Sequence, residues 1–182
     1  MRCPFCESAT LITKEIIPHL QAQECSQCHG HWIASTAYQE YLMKKDGGLE
    51  PVAFEDVIHQ TEDSKKGMIC PDCGHILVKF RIGQGIDFYL DHCLHCNGVW
   101  LDSNEWNTLY HHQLHDDLNK VFTTSWQNKI KKEAHRAAIE KIYRAKFGAR
   151  YAALCELKEW MSQENNRSLV LAFLENHSGS ND

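Results

Sequence analysis

No apolar run in the chain approaches the ~18 residues that a membrane-spanning helix needs. The opening stretch, MRCPFCESATLI, has no apolar core of the kind that marks a secretory leader. Neither charge sign is in large excess: the formal net charge is −5, which gives no overall pull toward nucleic acid or an anionic membrane. No glycine-rich phosphate loop and no nucleophile–base pair is recognisable. These absences point to a cytoplasmic protein that is not an enzyme, has no small-molecule substrate and makes no membrane contact. In that compartment cysteines stay reduced.

Against this background the cysteines stand out. There are nine in 182 residues, and eight fall into four pairs: Cys3 and Cys6, Cys25 and Cys28, Cys70 and Cys73, Cys93 and Cys96. Clustered pairs in a reduced protein read as metal ligands before disulfides. A redox dithiol or an iron–sulfur cluster would use the same residue type.

The pairs belong to an internal repeat. Shifted by 68 positions, CSQCHGHWIAS falls on CLHCNGVWLDS, and Cys25, Cys28, Gly30, Trp32 and Ser35 land on Cys93, Cys96, Gly98, Trp100 and Ser103. Eighteen residues separate Cys6 from Cys25, and nineteen separate Cys73 from Cys93. Repetition of this kind means one small structural unit used twice. Each copy then closes four thiolates on one ion.

Four thiolates in a tetrahedron select zinc, so two Zn²⁺ ions are expected. A two-residue gap lets a tight turn aim both sulfurs at one ion. Two such turns bridged by strands make a zinc ribbon. HILVKFRIG and IDFYLDHC supply strands around a GQG turn in the second copy, and ATLITKEI and LQAQEC surround Pro18 in the first. A unit of this size cannot bury enough surface to fold alone, and zinc supplies ~10–16 kcal/mol in finger-sized peptides. With both sites loaded the net charge becomes about −9.

Three residues after the second knuckle have local readings. Gly98 can adopt positive φ as the chain turns away. Trp100, with Trp32 as its counterpart, covers its own ribbon or offers a stacking platform to a base or a peptide. Asp102 opens D-S-N-E, a capping-box pattern ahead of a helix through Trp106, Leu109 and Tyr110.

Residues 70–109 resemble the transcription-factor-IIB-type zinc-ribbon family, whose signature runs CPxCxxxL, a hairpin, then CxxCxGxWLDxxEL. Cys70, Pro71, Cys73, Leu77, Cys93, Cys96, Gly98, Trp100, Leu101, Asp102 and Glu105 match it. The resemblance implies that all eight paired cysteines are zinc ligands. The first copy departs from the signature, with Ile33 and Ala34 in place of Leu–Asp and Ala37 in place of Glu. That predicts an intact metal site with a weaker helix cap.

Between the copies, residues 44–67 read as a charged linker with a short helix at Phe54 to Gln60. Beyond the ribbons the period becomes helical: Trp126, Ile130, Ala134, Ala138, Ile142 and Phe147 form a stripe, Ser125 is an N-cap candidate, and Gly148 is a stop. A second helix carries Tyr151, Leu154, Cys155, Trp160 and Met161, and a third opens at Ser168. Cys155 reads as a small core residue. His111 and His115 stand one helical turn apart, a pair that a third ligand would turn into a metal site.

Residues 129–150 hold eight Lys or Arg against two Glu. Lys131, Lys132, Arg136 and Arg144 are candidates to meet phosphate, and equally to face water or acidic protein.

The expected fold is α+β: two tandem zinc-dependent β ribbons (1–43 and 68–110), a connector (111–124), a helical domain (125–176) and a frayed tail (177–182). The expected function is an interaction module that docks on a protein partner. Nucleic acid is the alternative, contacted by the basic helix and the ribbon aromatics.

Overall fold

The computed structural model describes residues 1–45, 66–163 and 167–176. Most of the linker, with the helix expected at Phe54 to Gln60, and the tail lie outside the described residues. The chain divides into two compact units, Met1–Lys131 and Lys132–Asp182.

The first unit is built on six antiparallel strands: β1 (Leu11–Ile17), β2 (Leu20–Cys25), β3 (His31–Ile33), β4 (Val78–Gly83), β5 (Ile86–His92) and β6 (Val99–Leu101). The hairpins sit where the sequence placed them. At the tip of β4–β5, Gln84 and Gly85 both take positive φ, the backbone twist that suits a two-residue turn.

The two ribbons are not separate. They share one sheet in the order β1-β2-β3-β6-β5-β4, a palindrome of the two copies. Strands β3 and β6 meet antiparallel in the middle, pairing His31 with Leu101, Trp32 with Trp100 and Ile33 with Val99. Three residues per strand make a short seam, but side-chain alternation gives it two different faces. Trp32 and Trp100 point to one face, where they join the cysteines, Leu11, Met68 and Leu77 in one core. Ile33, Val99 and Leu101 point to the other, where they meet the helices in a second core.

Those helices are α1 (Ser35–Lys45), α2 (Glu105–His111) and α3 (Leu118–Val121). Tyr38 ties the first to the segment after α2: its hydroxyl donates to the carbonyl of His115 at 2.8 Å and accepts the N–H of Leu118 at 3.2 Å. Tyr41 stands edge-on to Trp106 and donates to Asp116 Oδ1 at 3.1 Å. The first copy's helix thus forms without the Asp and Glu of the signature, and reaches Lys45, two residues past the expected boundary.

Helix α4 (Thr124–Phe147) starts on the sheet. Trp126 Nε1 donates to the carbonyl of Ile82 at 3.0 Å, Gln127 Nε2 to that of Arg81 at 2.8 Å, and Ile130 lies against Gly83. The N-cap is Thr123 rather than Ser125: the Thr123 hydroxyl accepts the N–H of Trp126 and its carbonyl that of Gln127. The apolar stripe therefore serves the sheet only through Ile130.

The second unit holds the rest of α4, a single 3₁₀ turn at Gly148–Arg150, α5 (Tyr151–Gln163) and α6 (Arg167–Asn176). Gly148 takes a positive φ where α4 stops, as expected. Cys155 is exposed, which overturns its reading as a core residue. Among the described residues from Lys132 to Asn176 none is buried, so Ala134, Ala138 and Ile142 do not line a core.

Candidate metal centres

Each pair of cysteines occupies a knuckle of one design. The carbonyl of the first cysteine accepts the N–H four residues on, from Glu7, His29, Gly74 and Asn97. Each of those residues takes positive φ, between 57° at His29 and Asn97 and 75° at Gly74. The left-handed residue thus directly follows each second cysteine. Gly98 is not among the positive-φ residues, so backbone freedom is not why it is glycine.

The knuckles bring the thiols together in two sets, Cys3, Cys6, Cys25 and Cys28, and Cys70, Cys73, Cys93 and Cys96. Sulfur separations are 3.7 Å for Cys3–Cys28 and 3.9 Å for Cys6–Cys25. In the second set they are 3.6 Å for Cys70–Cys96 and 3.4 Å for Cys73–Cys93. All eight are free thiols, far too distant for S–S bonds. Tetrahedral zinc with Zn–S bonds of ~2.3 Å needs sulfurs about 3.8 Å apart. Both sets fit that ion, and pairing is within each copy, as the repeat implied.

The local field already favours thiolate at one position per site. Burial pushes the Cys25 thiol up, but the N–H groups of Cys28 and Gln27 and the neighbouring sulfurs outweigh it and bring it down to about 7. Cys93 also falls to about 7, with burial opposed by the N–H groups of Cys96 and His95. Burial wins at Cys3, raised to about 11, and at Cys28 and Cys70, which are raised further. A thiolate at Cys25 or Cys93 would offer a cation its first ligand, and the charge of a bound ion would favour the thiolate form of the other cysteines.

The glycines have a different role from the one read in the sequence. A Cβ on Gly98 would lie 2.2 Å from Trp32 Cζ2, and a Cβ on Gly30 would lie 2.3 Å from Trp100 Cζ2. Each indole is seated on the glycine of the other copy, and both are fully buried at 0% exposure. A stacking platform for an incoming base or peptide needs an open ring face, so the binding role expected for Trp32 and Trp100 fails on burial. Their work is to join the metal centres.

Asp102 also differs. Its carboxylate accepts the Trp100 indole N–H at 2.8 Å rather than capping the helix. The other half of the capping box holds: buried Glu105 accepts the Asp102 backbone N–H at 2.8 Å. In the first copy Ala34 stands where Asp102 would be, and the Trp32 indole N–H has no hydrogen-bond partner among the described residues.

The remaining candidates divide. Lys131, Lys132 and Arg136 are exposed on α4. Arg144 is engaged with Glu140 at 2.7 Å and sits over the Tyr151 ring. His115 is buried against Tyr110 and Trp106 and joins no metal cluster; the two cysteine sets are the groups that qualify among the described residues.

Residues 69–112 match the family described as transcription factor zinc-finger, the TFIIB-type zinc ribbon. The second half of the sheet is thus similar to a zinc ribbon of that family. The Cys3–Cys28 set is consistent with a tandem copy. Neither curated proteins nor solved structures gave a match to the chain. No helix among the described residues is long and apolar enough to cross a membrane.

Proposed function

We propose that the protein is a non-catalytic zinc-binding adaptor that docks on a protein partner. The supporting observation is the contrast between its thiols and its knuckle surface. Four thiolates per ion leave no coordination position for water or substrate, so the metal's contribution is structural. Around the knuckles Phe5, Ile69, Ile76 and Leu94 nevertheless stand exposed. Ile76 and Leu94 flank the stacked rings of His75 and His95, whose centroids are 4.0 Å apart, on a shallow apolar surface of the second knuckle pair. Rigid apolar patches on a small scaffold suit protein recognition.

The second reading is nucleic acid, and the exposure of Lys131, Lys132 and Arg136 favours it. Full-length protein is to be captured from extract with and without nuclease, across a salt series, alongside Ile76→Asp/Leu94→Asp and Lys131→Ala/Lys132→Ala/Arg136→Ala variants. The adaptor reading expects a partner that survives nuclease, depends weakly on salt and is lost with the knuckle variant while zinc content stays unchanged. Binding that vanishes with nuclease, falls steeply with salt and is lost with the basic-residue variant overturns it.

A further inference from the structure

The described residues of the second unit leave large apolar side chains exposed. Helix α6 carries the run LVLAFL, residues 169–174, with no polar residue in it. A helix apolar on every side belongs in an interior. Here Leu169 is 74% exposed and Leu171 44%. Trp160 of α5 is 44% exposed, and Leu154 and Leu157 are more than a third exposed. Helices of 13 and 10 residues are marginal in water without a surface to pack on.

We infer that the cover is a second copy of this chain, the two helical units pairing through α4, α5 and α6 as a symmetric dimer. Three features support this occupant. The first is area. Ten large apolar side chains between Ile142 and Leu174 are more than a third exposed. At roughly 100 Å² each they offer on the order of 1,000 Å² per copy, against the ~800 Å² per partner of a stable interface. The second is shape. Between α4 and α5 lies a cleft of about 600 Å³, with Ile139, Tyr143, Tyr151 and Cys155 in its lining among four charged side chains and Ser162. Such a groove can receive the apolar α6 of the other copy. The third is charge. From Lys132 to Phe147, α4 carries five Lys or Arg against two Glu, whereas α5 and α6 carry three Glu against Lys158 and Arg167. Under two-fold symmetry the basic α4 of one copy meets the weakly acidic α5 and α6 of the other, and the match is made twice.

The test is the mass of the full-length zinc-loaded chain by light scattering behind size exclusion, over ~1–100 µM. The proposal expects twice 21.0 kDa. Two substitutions at opposite ends of the contact, Leu171→Glu on α6 and Ile139→Glu in the cleft, should each halve the mass while zinc stays at two per chain. A wild-type chain that remains at 21.0 kDa over the range overturns the proposal. A dimer that survives both substitutions overturns it as well, because the contact then lies elsewhere. Zinc content separates loss of the dimer from loss of the fold.

Discussion

Trp32 and Trp100 face each other across the β3–β6 pair, and each indole fills the space above the glycine of the opposite repeat. The tryptophan that follows each knuckle is therefore part of the other copy's wall. This explains why glycine and tryptophan recur together in both copies at the same spacing, and it makes the two metal centres one structural unit.

The Gly98→Ala substitution tests this directly. Its methyl would overlap Trp32, and overpacking of this kind costs about 1–3 kcal/mol or more. Denaturant unfolding of the zinc-loaded protein should show that loss. Trp32→Phe removes the ring atoms that clash. The double variant should then be more stable than the two single losses predict, by at least ~1 kcal/mol. Additive losses would show that the indole and the glycine do not meet.

Coupled centres also predict coupled metal affinity. Cys93→Ser breaks the second site directly and leaves all four ligands of the first in place. If the seam joins the sites, the remaining ion at Cys3, Cys6, Cys25 and Cys28 should bind at least ~10-fold more weakly, a coupling of about 1.4 kcal/mol. Chelator competition measures it. Unchanged affinity would mean that each copy folds on its own zinc.

The metal sites were legible because four soft ligands at fixed spacing allow few other uses, and the repeat told which pairs belong together. The hairpins were legible from β-branched runs around turn residues. The joining of the ribbons was not, because three-residue strands such as His31–Ile33 carry almost no periodic signal. In the sequence alone Gly98 fits a turn residue, since flexibility and close approach leave the same letter. Only the register shows that an indole needs the room. The helical stripe misled for another reason. Its period is real, but a sequence does not say how far along a helix the supporting surface extends, and here it ends near Ile130.

One of the hydrogen bonds that set the two copies apart can be exchanged between them. Asp102→Ala should cost about 1–3 kcal/mol, because it leaves the buried Trp100 N–H without the acceptor now 2.8 Å away. Asp102→Asn keeps an oxygen there and should cost less. Placing the acceptor in the first copy, Ala34→Asp, offers the Trp32 N–H the partner it lacks among the described residues. A gain of about 1 kcal/mol is expected. Thermal unfolding of the three variants checks the set, and a destabilising Ala34→Asp would show that the first copy's cap region has no room for the repeat's own solution.

His115 predicts the shape of stability against pH. Burial and the nearby Lys45 ammonium lower its pKa to about 4, against the pull of Asp117. The ring lies against Tyr110, and its Nε2 is 3.4 Å from Asp116 Oδ1. The folded value is below the ordinary 6.5, so the unfolded chain binds this proton more readily. The neutral ring's contribution is complete above pH 6.5. It declines as pH falls from 6.5 toward about 4, below which no further loss comes from this group. Between pH 7 and pH 5 the loss is about 1–2 kcal/mol. Protonation of the zinc thiolates adds its own loss in the same direction, so wild type must be compared with His115→Phe, which keeps the ring packing and removes the proton site. The variant should lose less stability than wild type between pH 7 and pH 5. Parallel curves would mean that His115 is protonated in the folded protein or that its burial opens on this timescale.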